Sequence, residues 1–435
     1  MRKFAILALA ALLLFAFTMP APAMEYNFGG YWRTRWYTNQ NFTGYDKEDV
    51  TDADLKAAGV KKDITRVDTR TRLYFTAVFN ENLKFVNKFE MDAFWGDSST
   101  GTKGKSYGGI GADGTTFEIK NSYADFKVGA VNAKVGVQGV RLARGFMFDD
   151  DAGAVSVAFN AGNVSIPVVW VKAFDDDSLN KRDVDYFIVS PTISAGNVKI
   201  NPFGLYAYSE DAKGWSKTAD FGDVDMYYVG GNLDVDFGAG SFWLTGIYQG
   251  GEAELAGSED TVDFKAYLGA AGAKVNIGIG DFHLQGFYAS GDDSPNDNDM
   301  EKFFVPQGQS YYWSEIMGYG TFDNQLPNGA PGDKIGNIMA GNVGVTLKPA
   351  PKLSVSLDAW YAALAEDIVV GIDNNGNNIE ENALGIEANV KVTYQIVEGL
   401  NLDLVGAYLF AGDALYQGTG EADPYEFGTR LSLSF

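Results

Sequence analysis

The residues most able to do chemistry are arginines spaced two apart. Arg33 and Arg35 form one such pair; Arg66, Asp68, Arg70 and Arg72 form a longer row, and Arg430 sits five residues from the C-terminal Phe435 in DPYEFGTRLSLSF. Residues i and i+2 share a face of an extended chain, so each set presents its guanidinium groups on one side. Guanidinium groups stay ionised and repel one another unless water or acids surround them, which a water-filled passage tolerates and a packed core does not. Two readings follow: a basic wall of Arg33, Arg35, Arg66, Arg70, Arg72 and Arg430 that attracts and orients anions, or a wall neutralised by Asp68 and loop acids that merely keeps the passage wet. A second charged stretch, VRLARGFMFDDDAG from Val140 to Gly153, carries Arg141 and Arg144 and then Asp149, Asp150 and Asp151. Set against the arginine row, these acids would make a transverse field, with Phe146, Met147 and Phe148 packing the loop inward; the plainer reading is a surface loop with three solvated acids.

Other chemistry is weakly signalled. His283 is the single histidine; a serine hydrolase would need it as base, and with no discernible partner it reads as an ordinary polar-face residue. Asp175 to Asp177, Asp292, Asp293, Asp297 and Asp299, and Asp373-Asn374-Asn375 offer the oxygen ligands calcium favours, but none has EF-hand spacing, and solvated loops are the simpler reading. With zero cysteines there are no disulfides or thiolate metal sites. No nucleophile-elbow, phosphate-loop, haem-attachment or dinucleotide-binding pattern stands up, so no catalytic residue, metal or cofactor is assigned. A formal charge of -23 argues against a nucleic-acid partner, because phosphate binding needs a surplus of Lys and Arg.

The elements that would carry the arginines are strands. In Asp423–Phe435, Tyr425, Phe427, Leu431, Leu433 and Phe435 share one face, and Glu426, Gly428, Arg430, Ser432 and Ser434 share the other. An apolar edge ending at a terminus invites aggregation in a soluble sheet, whereas the closing strand of a membrane barrel pairs back to the first and leaves no edge. The first strand, Glu25 to Thr38, alternates likewise, with Phe28, Trp32 and Trp36 opposite Tyr31, Arg33 and Arg35. Ile64 to Asn80 follows a long polar stretch, then a tight Asn80-Glu81-Asn82 link leads into Leu83 to Trp95. Onward the chain repeats long link, strand, short link, strand. The alternation slips near Asn121, predicting a bulge. The longest link, Gly291 to Gly336, holds four prolines and the aromatic run Tyr311-Tyr312-Trp313. The count is about eighteen strands, with sixteen as the alternative. This is an all-β, antiparallel, up-and-down transmembrane barrel with short periplasmic turns and long external loops. A large soluble all-β protein or a propeller predicts neither the strict long–short alternation nor the polar faces, and no internal repeat is visible. Trp36, Trp95 and Trp170 fall near external strand ends and Phe28, Phe237, Phe282 and Phe435 near internal ones, as girdles would.

Residues 1–23 read as a signal peptide: Arg2 and Lys3, an apolar core from Phe4 to Phe17, and Ala21-Pro22-Ala23 as a small-x-small cleavage site. The expectation is a barrel domain over 24–435 exported to the outer membrane of a Gram-negative cell, in contact with lipid.

Asn41-Phe42-Thr43-Gly44 after the first strand, the Arg-rich second strand, Glu81-Asn82-Leu83-Lys84-Phe85 followed by Trp95-Gly96, and the strand pair from Phe126 to Gln138 resemble the outer-membrane homotrimeric porins of sulfate-reducing deltaproteobacteria and relatives. The resemblance covers most of the mature chain in layout and short segments in wording; Gly291–Gly336 has no counterpart. It implies a homotrimer of water-filled barrels for small hydrophilic solutes or ions. The expected function is passive diffusion through an outer-membrane channel. The runner-up is a substrate-specific channel using the aromatic and acidic loops. An outer-membrane enzyme built on His283 and a structural or adhesin barrel stand further back.

Overall fold

The computed structural model describes residues 24–435 except 45–62, 98–107, 111–115, 177–181, 217–219, 258–259, 295–296, 324–325 and 417–421; the expected signal peptide lies outside the described residues. Eighteen antiparallel strands close into one barrel among the described residues. They are β1 Glu25–Gln40, β2 Ile64–Asn80, β3 Leu83–Phe94, β4 Thr116–Val128, β5 Val131–Leu142, β6 Phe148–Ala161 and β7 Val164–Asp175. β8 is broken into Asp183–Val189 and Thr192–Ala195, and β9 Val198–Asp211, β10 Phe221–Asp236, β11 Gly240–Leu255, β12 Thr261–Asn276 and β13 Gly280–Ala289 follow. After the longest link come β14 Ile338–Ala350, β15 Leu353–Ile372, β16 Asn378–Val397, β17 Leu400–Ala411 and β18 Tyr425–Ser434.

The terminal stretch closes the barrel. β18 pairs antiparallel with β1 from Tyr31↔Ser434 to Gln40↔Tyr425, and with β17 on its other side. Past the ladder, the Gly30 amide donates to the Phe435 carbonyl at 2.8 Å and the Phe435 amide to the Gly30 carbonyl at 3.2 Å. Gly30 is required there, because a Cβ would lie 2.5 Å from the Phe435 ring and 2.7 Å from the Arg72 carbonyl.

Two local irregularities have plain causes. The β3–β4 register shifts between Lys88 and Phe89, skipping Lys120, so the bulge falls one residue from Asn121. β8 breaks at Ser190-Pro191, since proline has no amide hydrogen for the ladder. The Asn201 amide fills the gap, donating to the Pro191 carbonyl at 2.6 Å and the Ser190 carbonyl at 3.2 Å.

Outward faces carry exposed apolar side chains such as Tyr227, Val229, Leu244, Leu284, Val343, Leu357, Ile386, Val390 and Phe427. An apolar belt of this extent is a lipid-facing surface. Inward faces divide. Around β18, β1, β2 and β3 they are charged. Along β7 to β13 they are apolar and buried, including Val171, Tyr186, Ile188, Leu205, Met226, Tyr228, Phe264 and Leu268. A uniformly polar lining does not hold on that side, because the link from 290 to 337 turns into the barrel and covers it. Its own Phe303, Trp313, Ile316, Met317 and Ile335 are buried in the same cluster. This internal strap, and not an external loop, is the fate of the longest link.

Candidate functional site

Strand register builds the arginine face. Arg33 stands opposite Arg70, Arg35 opposite both Asp68 and Arg430, Arg70 opposite Asp92, Arg72 opposite Glu90, and Arg430 opposite Asp403. Directly opposed residues on one face are close enough to pair, so each acid is placed by the same alternation that places its arginine. Arg35 forks onto Asp68 with Nε–Oδ1 at 3.0 Å and Nη2–Oδ2 at 2.8 Å. Arg70 forks onto Asp92 at 2.7 and 2.6 Å, and its Nη2 lies 3.3 Å from Glu90. Arg72 Nε donates to Glu90, and Arg430 Nε donates to Asp403 at 2.8 Å. Bidentate guanidinium–carboxylate pairs are the stronger, geometrically specific kind. Arg66 stands apart from these pairs, its guanidinium 4.6 Å from the Phe94 ring centroid.

The strap closes over this face. Asp323 Oδ1 accepts from Arg35 Nη1 at 2.5 Å and lies 3.4 Å from Arg33 Nη2, while the Thr321 carbonyl accepts from Arg35 Nη1 at 2.7 Å. Arg35 is 1% exposed and Arg33 8%. Burial alone would raise the Asp323 carboxyl, but the Arg35 and Arg33 charges outweigh it and hold the group below the ordinary aspartate value. Phe322 stacks on Tyr37 at 5.1 Å between ring centroids. Upstream, the Glu387 carboxylate of β16, fully buried, accepts three successive strap amides: Glu315 at 2.8 Å and Ile316 and Met317 at 2.9 Å. Trp313 meets Trp360 at 5.1 Å and Phe287 at 5.5 Å. Burial pushes the Tyr311 hydroxyl up to about 12, and it donates to Gln285 at 3.0 Å.

The stretch Val140–Gly153 is not the long loop its composition suggests. β5 runs to Leu142 and β6 starts at Phe148, leaving only a tight turn whose single helical element is the 3-10 turn Ala143–Gly145. The register pairs Arg141 with Asp149, and they form an exposed ion pair at 3.4 Å. Asp150 caps the Asp151 amide, and Asp151 accepts from Asn121 at 2.7 Å with Lys120 at 3.8 Å. The three acids thus pair locally, and the acid facing the arginine row is Asp323 of the strap. The turn itself is buried: Phe146 stacks on Tyr311 at 3.9 Å, and Gln309 Nε2 donates to the Phe146 carbonyl at 2.7 Å. Gly145 holds φ +99 beneath the Ser310 carbonyl, a conformation and clearance only glycine gives. Arg144 crosses the interior to β10 and β11, donating to Asp234 at 2.8 Å and Thr245 at 3.1 Å above the Trp243 ring at 4.8 Å.

Beside the strap lies a cavity of about 690 Å³ lined by Arg33, Arg430, Lys391, Lys274, Trp243 and Tyr312 among others. His283 is on its wall with carboxylates at both ring nitrogens, Asp281 at 3.2 Å and Asp358 at 2.8 Å. Asp373, one of the acidic-loop residues, spends its carboxylate on its own turn, accepting from the Asn375 and Asn377 amides at 2.8 Å each. Sequence reasoning missed Asp323 and Glu387. The available signal was apolar: Tyr311, Tyr312, Trp313, Ile316, Met317, Phe322 and Ile335 are too many large hydrophobes for a solvated loop.

A family model described as alginate export matches residues 167–429, which is more than half the sequence. The chain belongs to the alginate-export family. Among solved structures, this family member is similar to OpdK of Pseudomonas aeruginosa with vanillate (11% identity, TM-score 0.55, covering 94% of this chain and 98% of that one). It is similar also to OccK2 (OpdF) of P. aeruginosa in complex with glucuronate (11%, TM-score 0.57, 94% and 97%). A third is a BenF-like porin of P. fluorescens Pf-5 (9%, TM-score 0.55, 94% and 99%). At these identities the likeness shows a shared barrel fold. No curated protein matches the chain. The eighteen-strand barrel with its apolar belt, and membership of the alginate-export family, make the protein an outer-membrane porin-type channel.

Proposed function

We propose that this alginate-export family barrel is a passive, substrate-selective channel for small organic anions, above all carboxylates. The observation that carries the reading is the unequal division of the interior. The strap and the β5–β6 turn fill one side with apolar side chains, leaving the path beside Arg33, Arg430, Lys391 and Lys274, which outnumber the Glu315, Asp323 and Asp358 carboxylates on the same path. A narrowed, positively edged path favours solutes by charge and shape, where an open lumen would pass anything small. This shifts the balance from general diffusion toward the substrate-specific alternative. The carboxylate choice is supported by the guanidinium forks, whose planar donor pairs match a carboxylate, and by the vanillate and glucuronate of the two Pseudomonas structures. Assembly as a homotrimer, and kinship with the deltaproteobacterial porins, rest on sequence resemblance and form part of the proposal.

Reversal potentials in planar bilayers under a salt gradient test it. Replacing Arg70 and Arg72 by Gln leaves Asp92 and Glu90 unpaired, so anion preference should fall sharply or invert. Unchanged selectivity would discard the basic wall. Conductance steps in threes would support the trimer, and single steps throughout would remove it.

A further inference from the structure

The arginines of the wall are not equally occupied. Arg35, Arg70, Arg72 and Arg430 each bind a carboxylate from a neighbouring strand, namely Asp68, Asp92, Glu90 and Asp403. Among the described residues the only ion pair of Arg33 is with Asp323, and it is long, 3.4 Å from Nη2. Its Nε is buried without a hydrogen-bond partner. Nε and Nη2 are the two donors that form a guanidinium fork, so Arg33 presents a fork with one arm empty and the other loosely filled. Arg33 and Asp323 both line the 690 Å³ cavity, and the Asp323 side chain is 14% exposed to it.

We propose that Arg33 and Arg35 form a carboxylate-exchange site whose resident is the chain's own Asp323, and that an entering solute carboxylate takes the place of Asp323 on Arg33. The inference rests on the anion-channel reading and adds to it a built-in competitor. The strap supplies a tethered carboxylate where a solute carboxylate would dock, and displacement needs only a side-chain rotation. Phe322, stacked on Tyr37, and the Thr321 carbonyl, held by Arg35, fix the main chain just before Asp323. Asp323 also leaves Arg35 Nη1, but Arg35 keeps its Asp68 fork and the Thr321 carbonyl throughout, so no buried guanidinium is stranded. One carboxylate replacing another of equal charge makes occupancy weak and reversible, which conduction requires. Chloride cannot span the Arg33 fork as a carboxylate does, so the exchange also discriminates by shape.

The test measures how much glucuronate is needed to halve the chloride current of the full-length protein in planar bilayers. Asp323→Asn removes the competitor and should lower that concentration about tenfold, the scale of one lost charge contact at a partly buried site. Arg33→Gln should raise it, and adding Asp323→Asn to Arg33→Gln should change nothing further, because without the Arg33 fork Asp323 has no docking place to vacate. Asp323→Ser is the second variant and should match Asp323→Asn. An unchanged half-blocking concentration in both Asp323 variants overturns the exchange site, as does a shift that persists in the Arg33→Gln background. Failure of both Asp323 variants to give ohmic channels assigns Asp323 a purely structural role and overturns it too. A cation-selective wild-type reversal potential would sink the anion-channel reading separately, while the glucuronate titration still reports on the exchange.

Discussion

Asp323 concentrates the residue-scale argument. Its carboxyl is held below the ordinary aspartate value of 3.8, burial working against the lowering and the Arg35 and Arg33 charges producing it. A carboxyl depressed in the folded state contributes stability that is fully present above its unfolded value and is lost as pH falls through the lower folded one. The strap's grip on the arginines should therefore hold down to pH 3.8 and loosen only below it. The groups facing Asp323 are Arg33 and Arg35 of β1, Arg70 of β2, and Tyr312 and Tyr319 of the strap, with Asp333 beside the two tyrosines. Burial raises both tyrosines, so they stay neutral across this window. Single-channel conductance should accordingly be flat from neutrality to about the ordinary carboxylate range and change below it; a transition near pH 6 would assign the control to another group.

Glu387 does at the scale of an element what Asp323 does at that of a residue. Three strap amides end on one buried carboxylate, which fixes Glu315 to Met317 against β16 and so positions Tyr312, Trp313 and Asp323. Buried amides left without acceptors cost roughly 1–3 kcal/mol each. Glu387→Ala should free the strap without opening the barrel. Amide exchange at 315–317 should accelerate and open-channel current should become noisier, while the folded barrel keeps its heat-modifiable migration on a denaturing gel. Unaltered exchange at those three amides would remove Glu387 as the anchor. The β5–β6 turn is the second support, and the length of the two strands explains why sequence misjudged it. Arg141 and Asp149 belong to a ladder that continues to Leu142 and Phe148, so what reads as a charged loop is strand.

Closure is the property of the whole molecule. Eighteen strands leave no edge only because β18 meets β1, and that seam passes Gly30 at contact distance from Phe435 and the Arg72 carbonyl. Gly30→Val has no room there and should prevent closure, seen as loss of the heat-modifiable species and of channel activity; a normally folded Gly30→Val barrel would mean the seam is not restrictive. The same seam brings β18, β1 and β2 side by side, so Arg430 from the end of the chain shares one wall with Arg33, Arg35 and Arg70 through Arg35↔Arg430 and Arg33↔Arg70.

Sequence alone determined the strands, their closing partner and which side of each faces out, because a two-residue period leaves no other way to keep apolar side chains in lipid, while the choice of eighteen over sixteen came from the structure. It also placed Arg33, Arg35, Arg70, Arg72 and Arg430 on a common face. It did not determine which acids meet them across space. Asp68 sits in the same short pattern as its arginines and was legible; Asp323 lies 288 residues from Arg35, and only the burial of the strap's aromatic residues inside the barrel brings the two together. That packing is a contest between a link's hydration outside and its apolar burial within, and the outcome depends on the space the eighteen strands leave. Local alternation carries no record of that space, so the wall was written in the sequence and its counter-ion was decided by the fold.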